Sequence, residues 1–146
     1  VLIFAPHPRA GLGQRQTINV WIRDRSPDWD LGWDVGNLDL SLLTAYKLKR
    51  NWGARMRIVT VVKDRDDERQ AFDFMAELMD QARLPQTEVV VEIGAFNEYV
   101  SKAPQADLNI FGLLPDPDFD FVERMVEETG SSCLFVRDSG LENILA

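Results

Sequence analysis

The feature that most constrains this chain is an alternation between two hydrophobic periods. Short β-branched or aromatic runs recur at residues 17–22 (TINVWI), 56–62 (MRIVTVV), 88–93 (EVVVEI), 108–113 (LNIFGL) and 132–137 (SCLFVR). Between them, apolar residues return every three or four positions. Leu38, Leu42, Ala45, Tyr46, Leu48 and Trp52 form one such stripe, and Ala71, Phe74, Met75, Leu78 and Ala82 a second. Phe119, Val122, Met125 and Val126 form a third. Short unbroken apolar runs read as buried strands and the longer period as helix. Strands alternating with helices build a parallel sheet covered on both faces. The expected fold is therefore α/β, a doubly wound five-stranded parallel sheet of flavodoxin-like form. The strand order stays open. Under the order 3-2-1-4-5, counting the five runs, a ligand crevice falls between the loops 23–37 and 112–118.

Local signals set the boundaries. Asn37 is placed to cap a helix over 38–52, with Arg50 in its last turn and Gly53 just past its end. A second helix, over 66–83, opens on Asp66, Asp67 and Glu68, and Pro85 stops it. A short helix over 96–102 precedes Pro104. Residues 1–16, punctuated by Pro6, Pro8, Gly11 and Gly13, read as a linker from a preceding unit, with a short apolar strand over 1–4 as an option. The folded domain is expected over 17–146, and its last residues, 138–146, as a tail.

Composition then removes whole classes of function. With 146 residues the chain fits one domain. Asp and Glu number 24 against 16 Lys and Arg, a net charge of −8. That field repels phosphate backbones and anionic headgroups, so neither nucleic acid nor electrostatic membrane docking is expected. No apolar run approaches the ~18 residues of a membrane helix. A single cysteine forbids an internal disulfide and suits a reducing compartment. The absence of an initiator Met reads as a fragment of a longer protein.

The search for chemistry is mostly negative. His7, the only histidine, stands in the Pro-rich lead and reads as an exposed linker residue. Cys133 sits among Leu134, Phe135 and Val136, where a thiol behaves as a small hydrophobe. Asp116, Asp118, Asp120 and Glu127 imitate a calcium loop, but Phe121 stands where a sharp turn demands Gly. Those acids read instead as the start of a helix. No Gly-rich phosphate cradle follows any strand. No catalytic residue, metal ligand or cofactor is therefore assigned. Two features point to contacts with other protein. Trp29 and Trp33 lie in the acidic loop 23–37, and exposed Trp there marks an interface. Leu40 and Leu43 lie opposite the main stripe of the first helix. These four residues are the candidate interface.

The motifs together resemble a known family. Thr17-Ile-Asn-Val-Trp-Ile22, then Leu42-Leu-Thr-Ala-Tyr-Lys-Leu48, Arg50-Asn-Trp52 and Arg57-Ile-Val-Thr-Val61 are similar in order and spacing to the C-terminal cytoplasmic domain of cation–chloride cotransporters. Leu134-Phe-Val-Arg137 and Asn143-Ile-Leu145 resemble that family's closing segment. The likeness runs from Thr17 to Ala146. The loop after the first strand is longer than in animal members. Only residues 94–107 occupy the place of their polar insert, so a prokaryotic member is implied. The resemblance implies the second of two universal-stress-protein-like units, non-catalytic, on the cytoplasmic side of the cell membrane. Its implied role is dimerisation and regulation of transport. Its implied partners are a second copy, the membrane domain and the first cytoplasmic unit of the same polypeptide. Nucleotide-binding stress proteins carry Gly-x-x-Gly, nine residues, then Gly-Ser/Thr after the fourth strand. Here Gly112 is followed by Pro115 and Met125 at those places. That disfavours the alternative of a free-standing nucleotide-binding stress protein. A third class, an α/β enzyme with an acidic site, lacks any motif that places a nucleophile or base.

Overall fold

The computed structural model describes every residue except 27–28, 30–37, 85, 114–115 and 140–146. The elements run β1 (Leu2–Ala5), β2 (Thr17–Trp21), α1 (Leu38–Trp52), β3 (Arg55–Val62), α2 (Arg65–Gln81), β4 (Glu88–Ile93), α3 (Phe96–Tyr99), β5 (Leu108–Gly112), α4 (Phe119–Thr129) and β6 (Ser132–Val136). The described strands form one six-stranded sheet in the order β1-β6-β5-β2-β3-β4. β2 to β6 pair in parallel, and β1 joins antiparallel beside β6. The five runs seen in the sequence are the parallel strands, in the order 3-2-1-4-5. The α/β doubly wound class holds, and the sixth strand corrects the count of five.

That strand lies within residues 1–16, the segment expected to be a linker. The sequence offers it only as an option, over 1–4, for a physical reason. β1 has four residues and buries only one face, so its alternation is too short to register against the flanking prolines. Ile3 and Ala5 pack onto the core, while Leu2 and Phe4 stay exposed. The turn that follows is ordered too. His7 donates its backbone N–H to Ser132 Oγ (2.8 Å), and its Nδ1 accepts from the amides of Arg9 and Ala10 (3.1 and 3.0 Å). His7 is thus a half-buried turn residue rather than a solvated linker side chain.

Two cores sandwich the sheet. On one face, Leu38, Leu42 and Ala45 of α1 and Phe74, Met75 and Leu78 of α2 cover Ile18, Val20, Ile58, Ile110 and Val136. On the other, Val122 and Met125 of α4 cover Trp21, Val59, Phe111, Cys133 and Phe135. Burying each large aliphatic or aromatic side chain contributes about 1.5–3 kcal/mol. The helix boundaries follow from caps. Asp64 Oδ1 accepts from the Asp67 amide (3.1 Å) and Asp118 Oδ1 from the Asp120 amide (3.0 Å), starting α2 and α4. Asp118 therefore begins a helix, as its spacing suggested. Gly53 adopts φ +64°, and the Ala54 amide reaches back to the Lys49 carbonyl (3.0 Å), closing α1. Asn37, the expected cap of α1, lies outside the described residues.

Candidate functional site

In a doubly wound sheet the ligand crevice lies where crossovers leave in opposite directions. Here that point is between the carboxyl ends of β2 and β5. On the β2 side, Ile22 is anchored to β3: its amide bonds to the Val59 carbonyl (2.8 Å), and its carbonyl accepts from Thr60 Oγ1 (2.6 Å). Asp24 turns back on its own loop, Oδ1 accepting from the Ser26 amide (2.9 Å) and hydroxyl (2.6 Å). Trp29 Nε1 donates to Ser26 Oγ (2.9 Å), and its ring meets Phe74 of α2 edge-on at 5.4 Å. The Arg25 guanidinium lies over the same Phe74 ring, 5.2 Å from its centroid. This part of the loop is held down on α2. On the β5 side, Leu113 is buried and its amide bonds to Val136 (2.8 Å). Met125, standing where a nucleotide-binding relative has glycine, is fully buried in the second core.

Beneath the crevice a polar row crosses the sheet in register: Glu88, Arg57, Asn19, Asn109 and Cys133 from β4, β3, β2, β5 and β6. Arg57 Nε pairs with Glu88 (3.0 Å), while its Nη1 donates to Asn19 Oδ1 (2.9 Å) and the Gln105 carbonyl (3.2 Å). Asn19 Nδ2 donates to the Pro104 carbonyl (2.8 Å), and Asn109 Oδ1 accepts from Trp21 Nε1 (2.9 Å). These donors and acceptors satisfy one another, so the row fixes strand register rather than presenting reactive groups. Cys133 ends it with a thiol that burial pushes up to about 11, against a smaller opposing pull from Thr129. His7 lies in the turn after β1, bonded through Ser132, so no thiol–imidazole pair forms.

A second constellation went unnoticed in the sequence. Asp107, just before β5, accepts the amides of Gln14 (3.1 Å), Gln16 (2.8 Å) and Thr17 (3.1 Å). Burial alone would raise its pKa; the bonds from Gln16, Gln14 and Thr17 outweigh that and hold the carboxyl below its ordinary value. Gly13, at φ +55°, passes so close that a Cβ there would collide with Asp107 Oδ1. Ser132 Oγ also donates to the Gly11 carbonyl (2.5 Å). The turn between β1 and β2 is thereby latched to the amino ends of β5 and β6. Gly11 and Gly13 were the visible signal. Their partners, about 90 and 120 residues away, could not be read from one sequence.

The four candidate interface residues are not brought into one patch by the described structure. Trp33 lies outside the described residues. Trp29 is half-buried against Phe74, and Leu40 packs against the first core, so Leu40 does not stand on an open outer face. The core-facing arc of α1 is wider than the main stripe. Leu43 is half-buried and belongs to neither described core. Exposed large apolar side chains are found elsewhere. Leu2 (53% exposed) and Phe4 (50%) are on β1, Phe72 (48%) on α2 and Phe119 (62%) on α4. A groove of about 660 Å³ runs between α2 and β4, its apolar floor of Phe72, Val89 and Val91 rimmed by Arg65, Arg69 and Asp73. Among the described residues no three His, Cys, Asp or Glu side chains converge on a metal site, and no helix is long and apolar enough to cross a membrane.

In class, then, this is a doubly wound α/β domain with a latched antiparallel strand at one edge. The family model for the second C-terminal domain of prokaryotic cation-chloride cotransporters matches residues 13–145, and the chain belongs to that family. It is similar, at 41% identity and a TM-score of 0.90, to the crystal structure of the cytoplasmic domain of a prokaryotic cation chloride cotransporter. The match covers 99% of this chain and 55% of that one, so the chain spans just over half of its solved relative. It is a cytoplasmic domain of such a cotransporter. A search of curated proteins finds no match.

Proposed function

We propose that this domain is a non-catalytic regulatory and dimerisation module of a protein that moves cations together with chloride. The observation that carries the reading is the 41% identity, over nearly the whole chain, to a solved cotransporter cytoplasmic domain. The site chemistry supports it. The polar row is internally satisfied, the one thiol is sealed in the core, and Met125, buried in the second core, stands at the place of a phosphate-cradling glycine. A domain built this way acts through contacts, with a second copy and with the membrane domain of its own polypeptide.

A dimer must overcome a net charge of −8 on each copy, which calls for an apolar contact. Leu43, with the loop carrying Trp29 and Trp33, is the proposed region; Leu40 is half-buried against the first core. Sedimentation of the full-length protein should show a dimer. Leu43→Glu should shift it toward monomer with circular dichroism unchanged. A wild-type monomer at all concentrations would refute dimerisation, and a variant that stays dimeric would move the contact elsewhere.

A further inference from the structure

The negative charge of this chain is unevenly placed. From Leu40 to Lys63 there is no Asp or Glu, while Lys and Arg occur six times. That run covers α1 beyond its first residues and the whole of β3. Two of its cations lie apart: Arg57 pairs with Glu88 (3.0 Å), and Lys63 follows the carboxyl end of β3. The other four, Lys47, Lys49, Arg50 and Arg55, lie where α1 ends and β3 begins.

The local backbone brings these four together. Gly53 turns the chain, and the Ala54 amide reaches back to the Lys49 carbonyl. The Arg55 amide bonds to the Gln16 carbonyl (2.8 Å), next to exposed Arg15. Lys47, Arg50 and Arg55 are exposed and Lys49 is half-buried. None of the four forms an ion pair among the described residues. Two half-buried aromatic residues stand among them. The Arg50 guanidinium lies over the Tyr46 ring, 5.8 Å from its centroid, and Trp52 packs against the first core. Of the acids at this end of the sheet, Glu88 is paired with Arg57, and Asp107 is held by backbone amides. Asp80, Glu127 and Glu128 ride on other helices, α2 and α4.

We propose that this basic and aromatic end of α1 docks the domain onto anionic lipid headgroups of the membrane's cytoplasmic leaflet. A net charge of −8 argues against an anionic surface only where all the charges are felt at once. From Asp39 to Arg50 is about 16 Å along α1, two Debye lengths of about 8 Å at physiological salt. A surface that touches Arg50 therefore meets the cations, while the acids beyond the first turn of α1 are screened from it. The partner follows from where the domain works. A cytoplasmic domain of a membrane cotransporter is held near the cytoplasmic leaflet, whose anionic lipids attract Lys and Arg. Tyr and Trp beside those cations are the aromatic residues that settle at headgroup level. The inference rests on the family assignment and not on the regulatory reading.

The test uses the full-length protein in lipid nanodiscs, with Asn51→Cys carrying an environment-sensitive fluorophore and other reactive cysteines replaced. Asn51 is exposed, between Arg50 and Trp52. A nitroxide-headgroup lipid is present at one mole fraction in discs of phosphatidylcholine, alone or mixed with phosphatidylglycerol. The label should be quenched severalfold more strongly in the phosphatidylglycerol discs, and released at about 1 M salt, where the Debye length falls to about 3 Å. Lys47→Gln, Arg50→Gln and Arg55→Gln together should weaken docking about a hundredfold, from roughly fivefold for each cation near an anionic surface, with circular dichroism unchanged. Lys47→Arg, Arg50→Lys and Arg55→Lys together should keep it, which separates charge from damage to the fold. Equal quenching in both discs, no quenching in either, or quenching that survives loss of the three cations would overturn the proposal. So would shielding of the label in detergent that grows with protein concentration, which assigns the patch to a second copy. Shielding in detergent that nuclease removes would overturn it too, by assigning the patch to nucleic acid. A patch that docks while transport ignores the domain keeps this inference and removes the regulatory reading.

Discussion

Cys133 shows how much one residue's neighbours decide. It is fully buried in the second core, the cluster that also holds Phe111 and Phe135, and lies within 3.6 Å of Thr129 Oγ1. Desolvation raises its thiol to about 11, so very little thiolate exists near neutrality. A thiol reagent should label Cys133 only after denaturation; rapid stoichiometric labelling of the native protein would contradict this. Cys133→Ser should cost about 1–3 kcal/mol, read as a lower midpoint in urea, because a hydroxyl loses more than a thiol on burial. The burial was legible in the sequence, since the run around Cys133 has no polar break until Arg137. The polar row that ends at Cys133 was not. Asn19, Arg57 and Asn109 meet only once the strand order sets β3, β2 and β5 side by side.

At the scale of elements, the parallel strands and the three long helices were readable because each carries a long periodic stripe or a strong cap. The latch turn was not, because its stability comes from Asp107 across the molecule. Asp107→Asn keeps the shape but exchanges one acceptor oxygen for a donor that faces backbone N–H groups. The expected loss is about 1–2 kcal/mol, seen as a lower unfolding midpoint. The pH dependence follows from the direction of the shift. The folded carboxyl titrates below its ordinary 3.8, so its contribution is complete above that pH and fades as pH falls through the lower folded value. The variant should therefore lose less stability than wild type on acidification below about pH 4. Equal acid sensitivity in the two proteins would count against the latch. Leu40 belongs to this same scale: a stripe of helical positions shows which side of a helix is apolar, but not how far the core-facing arc extends beyond it, and Leu40 is half-buried against the first core.

For the whole molecule, family and fold agree on a cytoplasmic domain of a prokaryotic cation–chloride cotransporter. Strong acidity, an anchored crevice loop and a buried Met125 leave little for a nucleotide phosphate to bind. Calorimetry of the protein with ATP and magnesium should give no measurable heat of binding. A dissociation constant in the low micromolar range would overturn that and revive the reading as a nucleotide-binding stress protein. The central claim, that this domain regulates cation–chloride transport, is reached most directly by flux. The measurement is chloride-dependent cation uptake into vesicles holding either the full-length protein or the same protein without residues 17–146. The account predicts chloride-dependent uptake in both, with the rate changed at least severalfold when the domain is removed and the ion coupling kept. Uptake that ignores chloride, or equal rates with and without the domain, would contradict it.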